Sequence, residues 1–260
     1  MSLSSYFSIA AKETTSVIPS TGAHLPQAPL CTSILFFWIH RCIRNHISPL
    51  KPGVMKPQDI APIDLPTLQK LYDASHRHIT NMTIASELPG IEAVAAFAKE
   101  HHILLQAGHT NATYEEFLHG AKLGITHATH LFNAMSAFNH RDPGAAGAVL
   151  LHPEFSAEII ADGVHVHPDV VGFLRRVKPV QNIVLVTDAL LPTGQEKGPF
   201  IANGEEVIFD GVWKRKADRV IAGSALTMLQ GIKPRSRDGT GICRCGVPER
   251  SGKPRPDAAW

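Results

Sequence analysis

From residue 81 to residue 187 the chain alternates short apolar runs with longer segments that carry an apolar stripe. Asn81 to Ala85 reads as a strand, and Ile91 to His101 as a helix with Ile91, Val94, Ala95 and Ala98 on one face. Ile103 to Ala107 is the next strand. Thr113 and Glu116 form a capping box, and Tyr114, Phe117, Leu118 and Ala121 follow at helical spacing. Gly124 suits the end of that helix, and Ile125 to Thr129 is a third strand. Ala157 to Ala161 is a fourth. Pro168 opens a helix to about Val177, and Asn182 to Thr187 is a fifth strand. Such alternation predicts βα units and a parallel sheet, with strands apolar along most of their length because both faces are covered. A Rossmann sheet and a (β/α)8 barrel both fit this pattern.

Composition narrows the setting. The 260 residues are 44% hydrophobic and 18% charged with a formal net charge of +2, enough apolar material for a core and no general case for binding nucleic acid. No apolar run reaches the length of a membrane span; Cys31 to His40 is too short and lacks the parts of a signal peptide. Four cysteines in two distant pairs form no disulfide framework, so a reducing, cytoplasmic setting is expected.

Three zones follow. Residues 1–55 show no sustained period and are expected to be irregular or misread sequence. Residues 56–232 carry the α/β pattern. Residues 233–260 hold seven Lys/Arg, four prolines and four glycines with almost no aliphatic side chains, and are expected to form a disordered basic tail.

Fifteen histidines are many for this length, and several of them sit where predicted strands end. One strand runs into Gly108-His109, the next into His130, the fourth into Asp162-Gly163-Val164-His165, and the fifth into Asp188. Function in parallel α/β folds gathers at the carboxyl ends of strands. One βα unit separates His109 from His130, which sets both imidazoles on neighbouring strands of one rim. Neutral imidazole is a common ligand for zinc and similar ions, and Asp188 could take a proton from a metal-bound water. A single such residue ordinarily caps a helix or bonds a loop; four on one rim favour metal-assisted hydrolysis. His76, His78, His140, His152 and His167 read as solvated surface. No P-loop, no G-x-G-x-x-G after a strand and no G-x-S-x-G elbow is present, which leaves nucleotide binding and serine catalysis unsupported.

Five motifs then acquire a common meaning: Gly108 to Tyr114, Ala128 to Met135, Ile160 to His167, Val186 to Ala189 and Gly223 to Met228. In order and spacing they resemble the N-acetylglucosamine-6-phosphate deacetylases of the amidohydrolase superfamily, over about residues 56–232. The resemblance implies part of a metal-dependent (β/α)8 TIM-type barrel that removes acetate from N-acetylglucosamine 6-phosphate. It implies a divalent ion, zinc or iron, held by His109 and His130, with Asp188 as the general base and later acid. It implies substrate contacts from Asn133, Ala134, Arg141, Asp162, Gly163, Val164, His165, Ile221, Ala222 and Gly223. The guanidinium of Arg141 suits a phosphate. The expected partner is a small sugar phosphate, with no nucleic acid or membrane, and homodimerisation is a family expectation.

The chain also departs from that pattern. The family's acidic metal ligand lies in a His-Leu-Glu-Gly-Pro motif that has no counterpart here. Glu87 matches a different motif and does not inherit the role, while Gly22-Ala-His24 only faintly matches a substrate-contacting segment. Periodicity stops abruptly at Lys233, which suggests a frameshift or gene-prediction error testable by sequencing the coding DNA. Five readable strands fall short of the eight of a closed barrel, so impaired activity is expected. Two alternatives stay open: a non-catalytic remnant that binds sugar phosphate, and an amidohydrolase acting on another amide.

Overall fold

The computed structural model describes residues 46–56, 59–190, 192–194, 200–202 and 205–232. His24, the four cysteines, most of the N-terminal zone and the whole basic tail lie outside the described residues.

Two sheets organise the chain. The first is parallel, in the order β1 (Asn81–Ile84), β2 (Leu104–Ala107), β3 (Ile125–Ala128), β4 (Ser156–Ile160) and β5 (Ile183–Val186). Strand order follows chain order, as in a barrel, rather than reversing at a switch point as in a Rossmann sheet. Among the described residues β1 and β5 are its edges, so this is an open segment of a barrel.

Helices cover its outer face. α1 (Leu65–Ala74) precedes β1 and buries Leu68, Leu71 and Tyr72. α2 (Ile91–Glu100) buries the predicted stripe of Ile91, Val94, Ala95 and Ala98. α3 (Tyr114–Lys122) starts at the predicted capping box: the Glu116 amide donates to Thr113 Oγ1 at 3.2 Å and the Thr113 amide to Glu116 Oε2 at 2.8 Å. α4 (Gly144–Leu151) has the sequence GAAGAVLL and packs between α3 and the next helix, with Gly144 to Leu150 all buried. Gly147 makes room for the segment that leads into the helix: a Cβ there would lie 2.5 Å from Pro143 Cβ and 2.8 Å from the Phe138 ring. α5 (Pro168–Val177) matches the predicted bounds, and the His167 ring accepts from the Asp169 amide at 3.2 Å as its N-cap. His167 is therefore exposed but not merely solvated. His152 is also more than surface, because its Nε2 meets the Tyr114 hydroxyl at 2.8 Å.

The second sheet is antiparallel and was not predicted. It comprises β6 (Phe200–Ala202), β7 (Glu205–Asp210), β8 (Val212–Arg215) and β9 (Ile221–Gly223), in that order. Its small core centres on Trp213, with Phe200 and Phe209 against the ring. α6 (Met228–Ile232) follows. No helix among the described residues is long and apolar enough to cross a membrane.

Candidate active site

The carboxyl ends of β2, β3, β4 and β5 meet at one rim. His109 and His130 follow β2 and β3, and their Nε2 atoms lie 3.2 Å apart with the rings near perpendicular. Both are buried, at 7% and 4% exposure. Burial lowers each imidazole pKa to about 4, helped for His109 by His130 and for His130 by His165, so both rings are neutral at neutral pH. Two neutral nitrogens at this separation suit a shared divalent ion with bonds of about 2.0–2.1 Å. Among the described residues no third His, Cys, Asp or Glu completes such a group. The donor pair fits a metal; the set of acidic ligands stops short.

Asp188 lies beyond β5 and interacts electrostatically with His109 and His165. Burial raises its pKa above the ordinary aspartate value, against the lowering effect of those two histidines. After β4, His165 Nδ1 sits 2.6 Å from Asp162 Oδ2, and Asp162 Oδ1 accepts the amides of Val164 at 2.9 Å and His165 at 2.8 Å. Burial opposes ionisation of Asp162, but these hydrogen bonds prevail and hold its pKa below the usual range. Gly163 and Val164 form the exposed tip of that turn.

The other sequence candidates divide. Ile221, Ala222 and Gly223 make up β9, which ends beside the Asp188 turn: the Ser224 amide donates to Asp188 O at 2.8 Å, and a Cβ on Gly223 would lie 2.9 Å from the same oxygen. Ala134 accepts the Thr110 amide through its carbonyl at 3.1 Å. Asn133 directs its side-chain nitrogen to the carbonyls of His130 at 3.2 Å and Leu131 at 3.3 Å, so it braces the turn after β3. Arg141 is exposed in the loop before α4. Glu87 receives the Thr110 hydroxyl and, at 2.7 Å, the Asn111 amide, which ties it to the loop after His109.

Three features were missed. His109, His130 and Asp188 have φ of 45°, 30° and 46°, in the left-handed region that costs a non-glycine residue roughly 1–2 kcal/mol. Side-chain chemistry, not backbone preference, dictates the residue at each. Glu158, in mid-strand of β4, is 2% exposed; Gln106 Nε2 donates to its Oε1 at 2.7 Å and the His130 amide to its Oε2 at 3.3 Å. Burial raises its pKa to about 7. A lone carboxylate within an apolar strand was the available signal. Finally, residues 46–55, assigned by sequence to the irregular N-terminal zone, pack on this rim: the Ala85 amide donates to His46 O at 2.7 Å and the Ser48 amide to His109 O at 2.8 Å. Their contacts run through backbone atoms, which no side-chain pattern records.

A parallel barrel segment that gathers two neutral imidazoles and a buried aspartate at its strand ends defines an α/β-barrel protein with a strand-end site of histidine and aspartate. The chain belongs to the amidohydrolase family, whose profile matches residues 70–235. It is 32% identical over 187 residues to an N-acetylglucosamine-6-phosphate deacetylase from Lysinibacillus sphaericus, covering 72% of this chain and 48% of that one. An N-acetylgalactosamine-6-phosphate deacetylase from Escherichia coli O157:H7 is 30% identical over 188 residues, covering 72% and 50%. Among solved structures, N-acetyl-D-glucosamine-6-phosphate deacetylase from Mycobacterium smegmatis, as a mutant in complex with N-acetyl-D-glucosamine-6-phosphate, superposes with a TM-score of 0.69 at 29% identity, covering 78% and 52%. The chain thus spans about half the length of these relatives.

Proposed function

We propose that this chain carries the catalytic rim of a metal-dependent N-acetylglucosamine-6-phosphate deacetylase, which hydrolyses the acetamide to the free amine and acetate. The observation that carries this reading is the opposition of His109 and His130 through Nε2 at 3.2 Å, with Asp188 in the field of His109. His109 and His130 would hold the ion, zinc or iron. When bound, the ion supplies Lewis acidity that makes water a nucleophile at neutral pH and polarises the acetamide carbonyl.

Asp188 then has two tasks. Its carboxylate accepts the proton of the attacking water, and its acid form delivers that proton to the departing nitrogen as the C–N bond breaks. Burial, which raises its affinity for a proton, suits a group that must hold one between these events. Asp162 fixes the His165 ring through Nδ1, which orients the ring for substrate contact. Gly163 and Val164 shape the turn between them, and Ile221 to Gly223 border the Asp188 turn. Asn133, Ala134 and Arg141 form the proposed phosphate side, in which Asn133 braces the turn and Arg141 supplies the charge.

The test is acetate release from N-acetylglucosamine 6-phosphate by the purified chain with zinc, iron, manganese or cobalt. Metal-dependent release that Asp188→Asn abolishes supports the reading; none with any of these ions overturns it. That the described residues offer no acidic donor beside the two histidines favours a second reading, a non-catalytic protein that binds sugar phosphate through the same rim. Saturable binding of the substrate without turnover is its signature.

A further inference from the structure

The segment before α1 does more than cover the rim. His109 Nδ1 lies 3.0 Å from the Lys51 carbonyl, and a carbonyl can only accept, so Nδ1 carries the proton. His109 Nε2 is then an acceptor, and its 3.2 Å contact with His130 Nε2 makes His130 the donor. The Ser48 amide holds the His109 carbonyl at 2.8 Å, so main chain and ring are gripped by one turn. Gly53, at φ 58°, lies close against the ring: a Cβ there would be 2.9 Å from His109 Cε1 and 3.5 Å from Nδ1. That distance is below contact, so any side chain at 53 moves the imidazole or the turn.

A second anchor comes from the other sheet. Arg215, in β8, donates from Nη1 to the Val54 carbonyl at 2.8 Å. Its guanidinium is steadied by Asp218, which accepts from Nε at 2.9 Å and also from Nη2. Arg215 thus bears on the turn that holds His109.

We propose that residues 48–54 are a backbone clasp that sets the tautomer and orientation of His109, with Gly53 its positioning residue and Arg215 its strut. Outer partners of a ligating histidine commonly fix which nitrogen is offered to an ion. The inference rests on the proposed deacetylase reading only for its consequence on metal affinity, since the tautomer follows from the Lys51 carbonyl contact.

Long-range 1H–15N correlation spectra of the full chain in EDTA read both tautomers directly. The expected result is a proton on Nδ1 of His109 and on Nε2 of His130. Gly53→Ala is expected to mix the His109 tautomers and weaken zinc binding, measured by calorimetry, about 10-fold or more. Arg215→Ala is expected to act in the same direction by a smaller factor. Gly211→Ala is the control, because Gly211 has φ 76° with nothing within 4 Å of a Cβ. It imposes similar backbone strain and should leave the His109 signals in place. A proton on Nε2 of His109 in the parent overturns the clasp, as does unchanged tautomer and zinc affinity in Gly53→Ala. Should Gly53→Ala fail to fold, the parent spectrum and Arg215→Ala still decide. Those spectra do so whether or not acetate release is found, so the clasp and the reaction fail separately.

Discussion

His46 offers a direct test of how burial governs this rim. It is 1% exposed, and among the described residues neither ring nitrogen has a hydrogen-bond partner. Burial lowers its pKa to about 4, although the charge of Asp64 works the other way. A base with a lowered folded pKa binds fewer protons folded than unfolded between that value and 6.5. Stability therefore falls as pH drops through this window. From pH 7 to pH 5 the unfolded chain gains about 1.5 pK units of protonation free energy that the folded chain does not, roughly 2 kcal/mol at 1.36 kcal/mol per unit. His46→Leu keeps similar volume and removes the titrating group, while His109 and His130 contribute equally to both proteins and cancel. Urea denaturation in EDTA at pH 7 and pH 5 measures the difference. The variant-minus-parent unfolding free energy should be about 2 kcal/mol larger at pH 5 than at pH 7. A difference that is the same at both values refutes the reasoning, because His46 would then be as easily protonated folded as unfolded.

Glu158 predicts the opposite slope. Its folded pKa of about 7 is raised, so its contribution is full below about 4.5 and is lost as pH climbs toward 7. Glu158→Gln should flatten that part of the stability profile between pH 5 and pH 8, read by the same denaturation series. Thr113→Ala removes the Oγ1 half of the α3 capping box, leaves the backbone amide at 113 to donate to Glu116, and should cost about 1 kcal/mol by thermal or urea unfolding. Gly108→Ala brings a Cβ to 2.7 Å from Thr129 and 2.9 Å from Thr83 inside the sheet and should cost about 1–3 kcal/mol. Gly223→Ala pushes on the Asp188 carbonyl and is expected to depress acetate release more than it depresses the melting temperature.

The parallel sheet was legible because each strand is an apolar run flanked by amphipathic helices with ordinary start signals. Thr113 with Glu116 and Pro168 marked helix starts that the structure keeps. α4 escaped because a helix buried all round has no polar face and hence no period to detect. α1 was overlooked although Leu65, Leu68 and Leu71 recur at helical spacing. The second sheet escaped because its strands are short and interrupted by charged residues at Lys214 and Arg215. At the rim, chemistry-bearing side chains at strand ends could be read one by one. What could not be read was the left-handed backbone that aims them, nor a turn whose grip on His109 is made of an amide, a carbonyl and the absence of a side chain at Gly53.

The bond from Arg215 to Val54 also sets a timetable for synthesis. It joins positions 161 residues apart, and elongation at about 5–20 residues per second separates their appearance by roughly 8–30 s. β1 to β3 can pair as they emerge, since each neighbour follows the last in the chain. The turn against His109 must wait for β8 before its strut arrives. A nascent chain therefore presents its two histidines on a formed sheet well before the clasp is braced.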